Sequence, residues 1–340
     1  MSRPAGTAPG PWLRVSALAG THGCALAVVS GTLGWHTAHR LLAALTHRGE
    51  AAPRSPSRDY VTLTKPRIMT LLLLTGAAGY VAGAHGLRAP GTFAAAMAGL
   101  ALACGGASAL NHVLDRDIDR LMGKRTRARP LAAERMPPAR ALEFGLALSA
   151  FSFVLLASAV NVLTATLALV GNLFYVLVYT RLLKRSTPQN IVIGGAAGAV
   201  PPLVGWAAAT GDVTMPALLL FAIVFVWTPP HFWALALLIK DNYANARVPM
   251  LPVVRGERET ARQIVRYSAA LVAVTLLPWA WGSAGLLYLA SALALGAVFL
   301  WLAERLRRDL IPRRAALLFH YSLLYLALLF AALALDTAVA

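Results

Sequence analysis

The chain has 340 residues, 58% of them hydrophobic and only 13% charged, with a mean hydropathy of +0.63; this excludes a soluble two-domain protein and indicates a polytopic membrane protein. The net charge of +17 does not point to nucleic acid, because the basic residues sit in short loops between apolar stretches. The two cysteines, Cys24 and Cys104, lie far apart without metal-ligand spacing, and Cys104 stands inside an apolar stretch where a thiol behaves as a small hydrophobe.

Residues 1–57 are rich in Ala, Gly, Arg and Ser, with Glu50 their only acid. They read as a poorly ordered N-terminal extension, with an organellar targeting peptide as the competing interpretation. Residues 58–340 read as one transmembrane domain. Nine apolar stretches follow, at 68–87, 91–114, 141–160, 162–180, 191–211, 214–239, 267–283, 285–303 and 315–338. Each is long enough as a helix to cross about 30 Å of hydrocarbon with some tilt, which predicts an all-α bundle of nine transmembrane helices.

The connections after stretches two, four, six and eight carry 8, 3, 6 and 5 Lys or Arg residues, whereas the odd ones carry only Arg88. The positive-inside rule makes the even connections cytoplasmic, with the N-terminus inside and the C-terminus outside.

The second stretch ends in Asn111-His112-Val113-Leu114-Asp115-Arg116-Asp117-Ile118-Asp119. On a helix, Asn111, Asp115 and Asp119 are spaced i, i+4, i+8 and share one face, while Asp117 points elsewhere. An amide and two carboxylates offer hard oxygen ligands suited to Mg²⁺ that also holds phosphate oxygens. The run Lys124-Arg125-Thr126-Arg127-Ala128-Arg129 adds cations able to grip a diphosphate. Topology alone explains such arginines but not the spaced acids.

Four stretches later, and on the same side, comes Lys240-Asp241-Asn242-Tyr243-Ala244-Asn245, in which Asp241 and Asn245 again stand at i, i+4. A metal clamp built from both loops is the economical reading. Elsewhere, Asn172 and Asn190 are amides in apolar stretches that need partners on a neighbouring helix or on substrate. Tyr175 and Tyr179 lie one turn apart, and Trp206, Trp227 and Trp233 are candidate cavity walls. The small-residue run from Gly194 to Ala199 permits either close helix packing or space for a flat ligand. Pro229-Pro230 is expected to interrupt the sixth helix, and His231, directly after it, is a candidate substrate-pocket residue.

Several further runs carry a family resemblance: Thr62-Leu63-Thr64-Lys65-Pro66-Arg67, Asp115-Arg116-Asp117-Ile118-Asp119, Thr187-Pro188-Gln189-Asn190, Pro201-Pro202-Leu203-Val204-Gly205-Trp206 and Trp227-Thr228-Pro229-Pro230-His231-Phe232-Trp233. From about Asp59 to near the C-terminus the chain resembles the intramembrane prenyltransferases of the UbiA superfamily, and among them the haem-directed farnesyltransferases. The resemblance implies transfer of farnesyl from farnesyl diphosphate to a vinyl group of haem B, with addition of water, giving haem O and diphosphate. It implies Mg²⁺ held by Asn111, Asp115, Asp119 and Asp241, diphosphate contacts from Lys65, Arg125, Arg129 and Lys240, and substrate contacts from Tyr243, His231, Asn172 and Asn190. It further implies a bacterial plasma membrane, or a mitochondrial inner membrane, and a place beside a haem A synthase or terminal oxidase assembly.

Two positions depart from the family pattern: Asn242 stands where an Asp usually precedes the tyrosine, and one extra residue lies between Met122 and Arg125. The competing functions are a prenyltransferase with an aromatic or chlorin acceptor, and a transporter or haem-handling module.

Overall fold

The computed structural model describes residues 56–339; residues 1–55, and so nearly all of the predicted extension, lie outside the described residues. In chain order the elements are α1 (Pro56–Thr64), α2 (Pro66–Ala84), α3 (Pro90–Leu114), α4 (Arg116–Leu121), α5 (Pro138–Ala159), α6 (Val162–Ser186), α7 (Asn190–Thr210), α8 (Met215–Leu238), α9 (Lys240–Asn245), α10 (Gly256–Ala280), α11 (Leu286–Arg308) and α12 (Pro312–Val339). Among the described residues there is no strand. All of these except α1, α4 and α9 are long and apolar enough to cross a membrane, so the described residues hold the nine spans that hydropathy predicts.

Two local predictions fail for identifiable reasons, and a third feature has no counterpart in the sequence pattern. Helix α10 begins at Gly256 rather than near residue 267, because its first turns carry the charged run Glu257 to Arg266 and rise out of the apolar layer before hydropathy registers them. Pro229 and Pro230 do not interrupt the sixth span; α8 runs unbroken through both, and both are buried within the bundle, where tertiary packing holds a segment that proline disfavours in isolation. Helix α6 leaves α geometry for a ten-residue π-helical segment, Phe174–Leu183, which no period-3.6 pattern discloses.

Helices α2 and α7 cross at backbone contact. A Cβ at Gly79 would run into the Pro202 carbonyl, and one at Gly205 into that of Gly76. Glycine is required at this crossing because no side chain has room, which is how membrane helices gain dispersion contact without a hydrophobic drive. The largest apolar core lies among α8, α10, α11 and α12, with Trp233, Ile264, Phe299 and Tyr325 at its centre. Asp336 near the end of α12 accepts the Gly285 and Tyr288 amides, satisfying the otherwise unpaired N–H groups that open α11.

Candidate active site

Helix α3 ends at Leu114, and Asp115 (φ −94°, ψ 5°) bends the chain into α4. The i→i+4 bonds continue across the bend, from Asp115 N to Asn111 O at 2.9 Å and from Asp119 N to Asp115 O at 2.8 Å. The Asn111, Asp115 and Asp119 side chains therefore remain on one face, and all three are buried, at 3%, 1% and 1% exposure.

Four cations close on this face. Lys65 Nζ donates to Asn111 Oδ1 at 2.8 Å, Lys184 Nζ to Asp115 Oδ2 at 2.5 Å and Arg129 to Asp119 Oδ1 at 2.6 Å. Arg185 grips Asp117 through two bonds of 2.7 and 2.8 Å and approaches Asp115 Oδ1 at 4.0 Å. Asn111 Nδ2 donates to Asp115 Oδ2 at 2.8 Å and to Thr180 Oγ1 at 3.0 Å. The exposed Asp117 is thus an anchor for Arg185, and its pairing holds that carboxyl down at about 2.

Lys65 is placed by strain. It sits between α1 and α2 in the left-handed region (φ 50°, ψ 61°), which costs a non-glycine residue about 1–3 kcal/mol and persists only where the surroundings over-determine it. Burial, with Arg129 and Lys184 beside it, brings its ammonium down to about 7. Burial also pushes the Asp119 carboxyl up, against the pull of Arg129.

Asp115 Oδ1 is buried and has no hydrogen-bond partner among the described residues. A buried carboxylate oxygen left unpaired in a field of cations lacks a ligand, and the donors around it are hard oxygens from Asn111, Asp115 and Asp119. They fit Mg²⁺, which uses one or two carboxylates and completes its shell with water and phosphate.

The second loop meets the first. Tyr243 and Ala246 pack with Ile118 and Met122, and the Asn242 amide lies beside Gly123 in the arginine loop, 3.0 Å from where its Cβ would stand. Tyr243 is buried, and burial raises its phenol to about 12. Asp241 is exposed and makes no ion pair among the described residues, as does Asn245. The face of α9 turned inward therefore carries Asn242 and Tyr243, not the predicted Asp241, since Tyr243 docks into the apolar cluster and sets the rotation of so short a helix. Lys240 pairs with Glu257 at 2.6 Å, and Arg125 is exposed and makes no ion pair among the described residues.

The remaining candidates separate. Asn172 ties three helices by donating to Ala103 O and Ser149 Oγ, at 3.1 and 2.9 Å. Asn190 donates to Thr187 O at 2.7 Å and keeps a buried Oδ1 that has no partner among the described residues. Tyr175 and Tyr179 stack at 5.5 Å in the π segment, and Gly194 and Gly195 pack against Tyr179 and Thr228, whereas Gly198 faces open space. Trp227 donates to Ser322 O at 2.8 Å, and His231 meets Ser322 Oγ at 2.6 Å.

Sequence reasoning missed Thr180, Lys184 and Arg185, which the π segment delivers to the site. It also gave no role to Asp59, which is buried and binds Arg135 through bonds of 3.1 and 2.9 Å and so ties α1 to the loop that carries Arg129. The only signal for Lys184 and Arg185 was the basic connection after the fourth stretch, which topology explained away.

Residues 72–329 match the UbiA prenyltransferase family. A protoheme IX farnesyltransferase of Symbiobacterium thermophilum is 53% identical over 282 residues, 82% of this chain and 94% of that protein. One of Thermus thermophilus is 51% identical over 295 residues, 86% of this chain but 48% of that protein, so the chain spans about half the length of this longer relative. A solved digeranylgeranylglyceryl phosphate synthase superposes with a TM-score of 0.70 at 17% identity, covering 83% of this chain and 99% of its own. A UbiA homolog from Archaeoglobus fulgidus, bound to DMAPP and Mg²⁺, superposes with a TM-score of 0.56 at 17% identity, over 80% and 99% of the two chains.

Proposed function

Because the chain belongs to the UbiA prenyltransferase family, as an integral multi-pass membrane protein, we propose that it transfers the farnesyl group of farnesyl diphosphate to a vinyl group of haem B. The allylic C1–O bond breaks, the terminal vinyl carbon bonds to C1, and water adds to the resulting cation beside the ring with loss of a proton. The products are haem O, carrying a hydroxyethylfarnesyl chain, and diphosphate. The partly unpaired Asp115 carboxylate among Lys65, Lys184 and Arg129 is the observation that carries this reading.

Bond cleavage loads negative charge onto the leaving diphosphate, so groups fixed in advance where that charge develops lower the barrier. Bound Mg²⁺, held by Asn111, Asp115 and Asp119, supplies Lewis-acid charge there. Lys65, Lys184 and Arg129 bind those same side-chain oxygens and so stand where they would also bind the oxygens of a diphosphate. Arg125, exposed and without an ion pair among the described residues, could fold onto the anion from the water side. Tyr243 and the stacked pair Tyr175 and Tyr179 wall the cluster with aromatic surface, which keeps water from a reactive cation.

Farnesyl diphosphate and haem B are then the small-molecule partners, and the lipid bilayer the medium. The basic even connections support a cytoplasmic active face, with the N-terminus inside and the C-terminus outside a bacterial plasma membrane. A haem A synthase or terminal oxidase assembly is the consumer such a product needs. Incubating the purified chain with haem B, farnesyl diphosphate and Mg²⁺, and weighing the pigment, tests the assignment. Haem B recovered unchanged while 4-hydroxybenzoate is prenylated would replace it with the aromatic-acceptor reading.

A further inference from the structure

His231 lies two turns inside the end of α8, clear of the acidic cluster, in a setting that specifies which of its nitrogens carries the proton. Ser322 Oγ on α12 has a single hydrogen and two neighbours, His231 Nδ1 at 2.6 Å and Phe319 O at 2.6 Å. If that hydrogen went to Nδ1, the ring proton would sit on Nε2, for which the described residues offer no acceptor. Placing the ring proton on Nδ1 gives every proton an acceptor: Nδ1–H donates to Ser322 Oγ, and the hydroxyl donates to Phe319 O. The network therefore assigns the Nδ1–H tautomer and leaves a bare lone pair on Nε2.

The ring is also held in one plane. It stacks on Trp227 at 4.3 Å and 15° and on Phe319 at 4.9 Å and 21°, with Phe232 edge-on at 5.2 Å and 87°. Trp227 in turn donates to the backbone of Ser322, so the same residue fixes both rings of the stack. An imidazole whose Nδ1–H is tied off by an outer partner, and whose Nε2 is unpaired in apolar surroundings, has the arrangement that metal-ligating histidines require.

Building on the reading of haem B as acceptor, we infer that His231 Nε2 is an axial ligand to the iron of the bound macrocycle. Phe232 supplies the link to the reacting end, since it packs on the cluster of Tyr179, Tyr243, Ile118 and Met122 that floors the acidic site. Anchoring the iron at His231 places the rim of the macrocycle, which carries the vinyl groups, toward that floor. The farnesyl acceptor is thus positioned by its metal centre, and a metal-free porphyrin should be a much poorer substrate.

The test uses the full-length protein in nanodiscs loaded with ferric haem B. Wild type should show a histidine-ligated absorption spectrum and, when the protein carries ¹⁵N-histidine, a ¹⁵N hyperfine coupling to the iron. His231→Gly should lose the histidine-ligated spectrum and regain it with added imidazole, while Ser322→Ala should keep ligation with an altered spectrum. Retained binding of farnesyl diphosphate with Mg²⁺ reports that each variant is folded. An unchanged spectrum in folded His231→Gly, or the absence of histidine coupling in wild type, overturns the inference. Either result alongside a farnesylated haem product leaves the proposed reaction standing; a wild type that binds haem through histidine but never makes that product overturns the reaction instead.

Discussion

Asp59 is buried at 4% exposure, and its carboxylate is bound bidentately by Arg135, whose guanidinium also reaches Ala128 O. The pair fastens α1, which leads into Lys65, to the loop that carries Arg129, so one contact holds two of the cations that close on the acidic cluster. Breaking a fully buried pair by removing one partner costs about 3–5 kcal/mol. Arg135, however, keeps 29% of its side chain exposed and recovers some hydration, which brings the expected loss to roughly 2 kcal/mol. Binding diphosphate must then re-form the docked arrangement, so the loss falls on the KM for farnesyl diphosphate. At about 1.4 kcal/mol per factor of ten, kcat/KM should drop roughly 30-fold in Asp59→Asn. The assay is steady-state product formation in Asp59→Asn, Arg135→Gln and the double variant, each titrated with farnesyl diphosphate at saturating haem B. If the pair acts as one unit, the double variant is no worse than either single. Losses that multiply, or a change in the KM for haem B with farnesyl diphosphate unaffected, would refute the strap.

Three further outcomes follow from the site. Asp115→Ala and Asp119→Ala should each lower turnover by about 10²-fold or more, while haem B still binds by its absorption spectrum; unaffected turnover would remove these carboxylates from the chemistry. Asp241→Ala should stay within about threefold of wild type and Lys184→Ala should not, a contrast measured under one set of Mg²⁺ and substrate concentrations, because only the second contacts Asp115. Gly79→Leu should unfold at lower temperature in detergent, by about 1–3 kcal/mol or more, since the α2–α7 crossing leaves no space for a side chain; an unchanged thermal midpoint would mean that the two helices can separate there.

The chain discloses its fold because the information is one-dimensional. Twenty apolar residues in a row need only their own backbone bonds to cross a bilayer, so counting stretches counts helices. The first acidic motif is legible for a similar reason: its i, i+4 spacing survives the bend at Asp115. The second is less so, because α9 is six residues long and its rotation depends on where Tyr243 finds an apolar pocket, a tertiary fact that turns Asp241 outward. Proline misled in the opposite direction. Pro229 and Pro230 look like a break, yet α8 is packed on several sides and bridges it.

Lys184 shows why a site residue can be invisible to pattern reading. An α-helix turns the chain by about 100° per residue, and every face assigned from sequence presumes that angle. Between Phe174 and Leu183 the backbone bonds run i→i+5, so each residue turns less and the lag accumulates over the segment. Side chains beyond it no longer occupy the face that period 3.6 would give them. Thr180 meets Asn111 and Lys184 meets Asp115 because of that offset. Such a long π segment is disfavoured on its own, and the residues that follow it, Lys184 and Arg185, are tied to the acidic cluster by ion pairs. Removing the carboxylates should therefore loosen the winding of α6 as well as the site, coupling the shape of the fourth span to whatever anion or metal the cluster binds.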